Sequence, residues 1–225
     1  MIAVVRTEEP IVLKKHAARW LAELKAAKVD PNVAQSQIEK ATNKYRHRQI
    51  KESLVEMFHG KCAYCESRIT VVTYGAVEHF YPKSRYIDKT FAWDNLLLSC
   101  DICNDAGHKG DRFPLDRRGN PLLIDPTDGV TDITEHLEFL WDAEAGLATV
   151  YGRDARGKAV EEIFDLNGLH GRRELIKHRS EYVKKIIVLL RFAQAGSEDA
   201  FSLLHEACHT SSEYSAFARG LVPDV

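Results

Sequence analysis

The residues of this chain that could do chemistry fall in two interleaved sets. The first is two Cys-x-x-Cys pairs, "CAYC" at Cys62 and Cys65 and "CDIC" at Cys100 and Cys103. A two-residue gap lets one tight knuckle present both sulfurs to a single ion, and four thiolates fill the tetrahedral positions of zinc, which makes the site structural. Two redox dithiols, or unrelated buried thiols, are the competing readings. The second set is Glu78 and His79 between the pairs, Asn104 directly after Cys103, and His108 four residues further on. Glu78, Asn104 and His108 together offer a carboxylate oxygen, an amide oxygen and an imidazole nitrogen. That mixture suits a divalent ion, Mg2+ or Mn2+, that keeps water positions open. His79 is then free to take a proton from water. Taken singly, each signal has a bland reading: a structural histidine, or an asparagine helix cap. Neighbouring residues in a strand face opposite ways, so Glu78 and His79 share a site only at a strand end or bend, which Pro82 fits. Asn104 and His108 share a face only if one helix runs through Gly107.

Helices must frame these residues. "IVLKKHAARWLAELKAAK" over residues 11–28 places Leu13, Ala17, Trp20, Leu21 and Leu24 at helical spacing. "AQSQIEKATNKYRHRQIKESLVEMFHGK" reads as one longer helix with Gly60 as its stop. Its basic run, Lys44, Arg46, Arg48 and Lys51, reads as a solvated face or as a phosphate contact. From Cys62 to about Pro114 the periodicity is lost. "RITVVTYGAVEHFYP" suggests short strands around Gly75, and "AWDNLLLSCDICNDAGHK" a loop entering a short helix. "LIDPTDG" is turn-rich, and residues 137–151 have strand character. A helix, a break at Asn167–Gly168, a long helix from about Gly171 to Ala195 and a last helix capped by Ser197 close the chain. Cys208, in that last amphipathic stretch, reads as core.

Composition narrows the function. The 225 residues are 44% hydrophobic and 28% charged, ordinary for a soluble protein. No apolar run approaches the roughly 20 residues that cross a bilayer, and the N-terminus lacks the pattern of a signal peptide. A cytoplasmic location with reduced thiols is therefore expected. The formal net charge is −2, unlike a free-standing nucleic-acid binder, and a zinc tetrathiolate would add about two further negative charges. Charge is uneven, however. Residues 170–191 hold seven Lys or Arg against two Glu, and residues 121–169 hold three against eleven Asp or Glu.

Read jointly, "C-x-x-C … E-H-F-x-P-K-S … W-D-N-L … C-x-x-C-N … H-K-G-D" over about residues 60–115 resembles the zinc-containing HNH endonucleases of the ββα-metal, or His-Me finger, group. The resemblance implies an α+β fold, mostly α: a zinc-stapled HNH core at 60–120, with helical regions at 1–59 and 121–225. It aligns His79 with the first family histidine, Asn95 with the central asparagine and Asn104 with the third position. Glu78 takes the place of the acidic residue, usually Asp, before the catalytic His. Catalytic roles for Glu78, His79, Asn95 and Asn104 follow from it. Lys109, at the family's basic position, and Arg112 are expected to hold substrate phosphates. Glu78, Asn104 and His108 are the expected ligands of a catalytic Mg2+ or Mn2+, and the four cysteines hold zinc. "GKCAYCES", "VEHFYPKSR", "LIDPTD" and "IFDLNGLHGRRELIKHR" further resemble the HNH subunit of Septu-type anti-phage systems, including those attached to retrons. This implies an effector nuclease working beside an SMC/ABC-like ATPase, on DNA or, second, RNA. The alternative is a non-catalytic zinc-stapled module that binds nucleic acid or a partner. Apolar positions at Trp20, Leu21 and Leu24, and at Ile187, Leu190 and Phe201, are expected to pack in the core or to dock that partner.

Overall fold

A computed structural model describes residues 1–71 and 73–222. The chain is mostly helical with two small hairpin sheets, an α+β arrangement. Helix α1 (Ile11–Val29) buries Leu13, Trp20 and Leu24 of the predicted stripe and Val12 besides, while Ala17 and Leu21 are half-buried. The single long helix expected next is instead two: α2 (Gln35–Thr42) and α3 (Arg48–Met57), joined by a 3-10 turn at Asn43–Arg46. The break lies at His47, whose backbone is extended (φ −55°, ψ 139°) and whose Nδ1 accepts from the Gln49 amide. A side-chain acceptor at that position starts a new helix rather than continuing the old one. α3 ends as expected: His59 and Gly60 both take positive φ, and the Gly60 amide returns to the Val55 carbonyl.

Beyond the first knuckle, β1 (Ala76–His79) pairs antiparallel with β2 (Leu96–Ser99), with Glu78 opposite Leu97 and His79 opposite Leu96. The strand therefore forms only after Gly75; Val72, in the stretch expected to hold another, lies outside the described residues. β2 replaces the expected loop. Its "LLLS" is buried at every position, and so short a continuous apolar run has no alternation to betray it. One helical turn, α4 (Asp101–Asn104), follows directly. The order strand, bracing loop, strand, helix is thus complete within residues 76–104.

The remainder packs around this unit. A turn, α5 (Ile133–His136), leads into the hairpin β3 (Leu137–Asp142) and β4 (Leu147–Gly152). Then come α6 (Ala155–Ile163), the 22-residue α7 (Arg173–Gln194), α8 (Glu198–Cys208), capped by Ser197, and α9 (Ser215–Leu221). One hydrophobic cluster runs from Met1 and Leu13 through Tyr64 and Leu97 to Val183 and Phe217. The Tyr64 ring stacks on Phe164 at 3.9 Å, tying the first knuckle to the end of α6. Cys208 is buried in a smaller cluster between α7 and α8. Of the apolar residues considered for docking, Trp20 and Leu24 are core, Leu21, Ile187 and Leu190 are half-buried, and Phe201 is exposed.

Candidate active site and metal centre

The four sulfurs of Cys62, Cys65, Cys100 and Cys103 lie within 4.8 Å of one another, and all four cysteines are free of disulfides. The surroundings suit thiolates. The Cys103 amide points at the Cys100 sulfur (3.4 Å), Ser67 Oγ lies 3.4 Å from the Cys65 sulfur, and Ser99 Oγ 3.7 Å from that of Cys62. Arg172, arriving from the start of α7, donates Nη1 to the Cys103 sulfur at 3.3 Å. A buried guanidinium beside four sulfurs is the counter-charge that a cluster of net charge about −2 requires. The donor set therefore fits zinc, and it uses every position of a tetrahedron.

A separate cleft of about 640 Å³ is lined by Glu78, His79, Lys83, Asn104 and Arg112, together with Tyr45 and Arg46 from the turn between α2 and α3. Glu78 and His79 share it because His79 is the last residue of β1, where strand alternation lapses. The bracing loop 80–95 then aims His79. Asn95, 1% exposed, accepts from the Tyr81 amide (2.7 Å) and donates to the Tyr81 and Lys89 carbonyls (3.0 Å each). The Phe80 amide donates to the Asn95 carbonyl (2.9 Å). These bonds brace the loop and leave the Asn95 side chain facing backbone rather than the cleft.

His79 Nε2 lies 2.9 Å from the Thr90 carbonyl, and the Tyr45 ring packs edge-on at 4.5 Å. A carbonyl only accepts, so Nε2 carries the proton and Nδ1 keeps its lone pair. Burial holds the His79 pKa down to about 3, with Lys83, Lys109 and Arg46 acting in the same sense and the Thr90 carbonyl against it. The imidazole is neutral at pH 7, as a general base must be. Burial also pushes the Glu78 carboxyl above the usual carboxylate range, while Lys109 pulls it back. The Asn104 side chain, at the end of α4, lines the cleft and makes no hydrogen bond among the described residues. A carboxylate and an amide oxygen facing one opening fit a hard divalent ion.

Two sequence expectations are corrected. Lys109 does not reach outward to a phosphate. It is fully buried, and its Nζ donates to Glu78 Oε1 (2.5 Å) and to the His79 carbonyl (2.7 Å). His108 does not join Glu78 and Asn104. α4 ends at Asn104, so the spacing of four no longer means a shared face. His108 lines a different cavity, with Ile102, Arg172 and Leu175. Arg112 does line the cleft, with its guanidinium on the Gly107 carbonyl. Sequence reasoning did not single out Tyr45 or Lys83 as site residues. It set Arg46 within a basic run and left its use open. Of that run, Lys44 pairs with Glu23, Arg48 with Glu52, and Lys51 reaches the Gly75 carbonyl, while Arg46 lines the cleft.

A family model described as HNH endonuclease matches residues 62–110. The Septu protein PtuB of Bacillus mycoides (strain KBAB4) is 31% identical over 213 residues, covering 83% of this chain and 68% of that protein. A second Septu protein PtuB, from Bacillus thuringiensis, is 36% identical over 121 residues, covering 53% of this chain and 42% of that protein.

Proposed function

We propose, from the premise that this chain belongs to the Septu PtuB family of HNH endonucleases, that it is the nuclease subunit of an anti-phage system and cuts polynucleotides from the cleft at His79. The observation that carries the assignment of residues is the His79 tautomer: Nε2 is tied to the Thr90 carbonyl, which leaves a neutral Nδ1 as the base. In this reading His79 accepts a proton from the attacking water. Asn95 holds the loop that aims the imidazole and does not touch substrate. Glu78 and Asn104 hold Mg2+ or Mn2+, which when bound stabilises the charge that develops on the phosphate and the leaving oxygen. Lys109 fixes the Glu78 carboxylate and the His79 backbone together, and Arg112 stands at the mouth as a phosphate contact. The four cysteines hold zinc as a staple.

An SMC/ABC-like ATPase is the proposed partner. Resemblance to Septu systems supports it, and so does charge. At −2 overall the chain has little of the long-range attraction that supplies most non-specific binding to a polyanion. Among the described residues no helix is long and apolar enough to cross a membrane. DNA is the first substrate to test and RNA the second. The test is a cleavage assay on both with Mg2+ or Mn2+, with and without the ATPase, using wild type and His79→Ala. Metal-dependent cutting that His79→Ala abolishes, with fold and zinc content intact, is the expected result. Cutting by His79→Ala at the wild-type rate would sink the assignment.

A further inference from the structure

The cleft does not stop at the HNH segment. Tyr45 and Arg46, which belong to the N-terminal helices, form one wall of it, and Lys83 another. The Arg46 guanidinium carbon and the Lys83 ammonium both lie against the Tyr45 ring, at 5.5 and 5.4 Å from its centroid. Arg46 Nε donates to the Tyr45 hydroxyl at 3.1 Å, which anchors the guanidinium and leaves its outer nitrogens for something else. Their neighbours differ. Lys44 and Arg48, on either side of Arg46, are each paired with a carboxylate. Among the described residues no carboxylate pairs with Arg46 or Lys83. Glu78 and Asp111 line the same cleft, but Glu78 is paired with Lys109, and among the described residues neither carboxylate is in ion-pair contact with Arg46 or Lys83, so two cations at the mouth keep donors free for a phosphate.

Past Lys83 the cleft continues. A second groove of about 300 Å³ shares Lys83 and Asp111 with the first and runs along α1 and α2, where Lys28, Gln35, Glu39, Thr42 and Asn43 line it. Lys28 and Lys83 there offset the carboxylates of Glu39 and Asp111, and the amides and hydroxyls between them suit the sugar and phosphate of an extended strand better than an apolar ligand.

We propose that the N-terminal helices build a strand-holding track beside the HNH segment. Arg46 and Lys83 hold the phosphate next to the one that is cut, and the strand continues over Lys83 into the groove along α1 and α2. The ligand class is the phosphodiester backbone of a polynucleotide. The proposal rests on the nuclease reading above and extends it to residues that lie outside the matched segment 62–110.

The test uses the full chain and has two arms. In the first, His79→Ala protein binds a labelled DNA oligonucleotide over a series of NaCl concentrations. Arg46→Met and Lys83→Met should each make the slope of log K against log[salt] shallower by about 0.7–0.9, while Arg48→Met, which stands outside the cleft, should leave it unchanged. In the second arm, catalytically intact Asn43→Asp is assayed on the oligonucleotide and on bis(p-nitrophenyl) phosphate, a diester with no flanking nucleotides. KM for the oligonucleotide should rise about tenfold from the like charge placed in the groove, with hydrolysis of the small diester unchanged. Zinc content and circular dichroism check the fold of every variant. An unchanged salt slope in the double variant Arg46→Met/Lys83→Met, or no measurable binding of DNA even at low salt, would overturn the track. So would an Asn43→Asp effect of equal size on both substrates. If instead the wild type cuts neither substrate, with or without the ATPase, while the slopes shift as expected, the track stands and the nuclease reading falls.

Discussion

Lys109→Met would remove the ammonium that holds Glu78 while keeping most of the side-chain volume. Lys109 is fully buried and Glu78 is 5% exposed, with 2.5 Å between Nζ and Oε1. The substitution therefore strands a carboxylate in the interior, and removing one member of a buried pair costs about 3–5 kcal/mol. For a chain of this length that corresponds to a Tm lower by about 6–20 °C. The pH dependence follows from the direction of the Glu78 shift. Its folded pKa is already raised by burial, and Lys109 opposes that rise; without the lysine it rises further. A raised carboxyl contributes stability that is full below its unfolded pKa and is lost as pH climbs through the folded pKa. The variant should thus be worst at pH 7–8. Its deficit should narrow as pH falls, because a protonated Glu78 needs no cation, whereas the wild type then carries an unpaired Lys109. The assay is urea denaturation in zinc-containing buffer without Mg2+, at several pH values, for Lys109→Met, Glu78→Gln and the double variant. The double should lose far less than the sum of the singles. Additive losses, or a Lys109→Met deficit under about 1 kcal/mol at pH 8 against the 3–5 expected, would refute a structural role for the pair.

Two further outcomes are expected. Arg172→Met should loosen zinc, because the Cys103 sulfur loses its charged donor; zinc affinity should fall about 10- to 100-fold, read as faster transfer to a chromogenic chelator, with unchanged transfer counting against the role. His79 has a folded pKa near 3 and an unfolded one near 6.5, so its contribution is present above pH 6.5 and is lost as pH falls toward 3. Between pH 6.5 and 4.5 the wild type should therefore lose about 2 kcal/mol more stability than His79→Gln, and equal slopes would refute the shift.

The four-cysteine cluster and the shared cleft of Glu78 and His79 were legible because spacing carries them: two knuckles, and a strand end before Pro82. The resemblance singled out Asn95, but its hydrogen bonds to Tyr81 and Lys89 across the loop are visible only in the fold. What escaped depended on distance through space. Lys109 sits where a family pattern puts a phosphate contact, but which way its side chain turns depends on β1, 30 residues earlier. His108 was misplaced by assuming that a helix continued through Gly107, when α4 closes after one turn. Arg46 stood in a basic run whose members looked alike. Only the break at His47 and the carboxylates across the fold separate the one that faces the cleft from those that are paired. β2 was missed because four buried apolar residues show no period.

The two thiol pairs enclose residues 66–99, a loop of 34 residues that carries β1, the bracing loop and β2, hence Glu78, His79 and Asn95. In polymer terms a single ion held by the four-sulfur cluster would tie off that whole loop, removing chain entropy worth about 3 kcal/mol at this length. Such an ion would help to order the strand that carries Glu78 and His79 without itself lining the cleft. Loss of that ion would act first on the conformational freedom of the loop. The cleft would blur before the surrounding helices melt, so a thermally intact protein could be a catalytically disordered one.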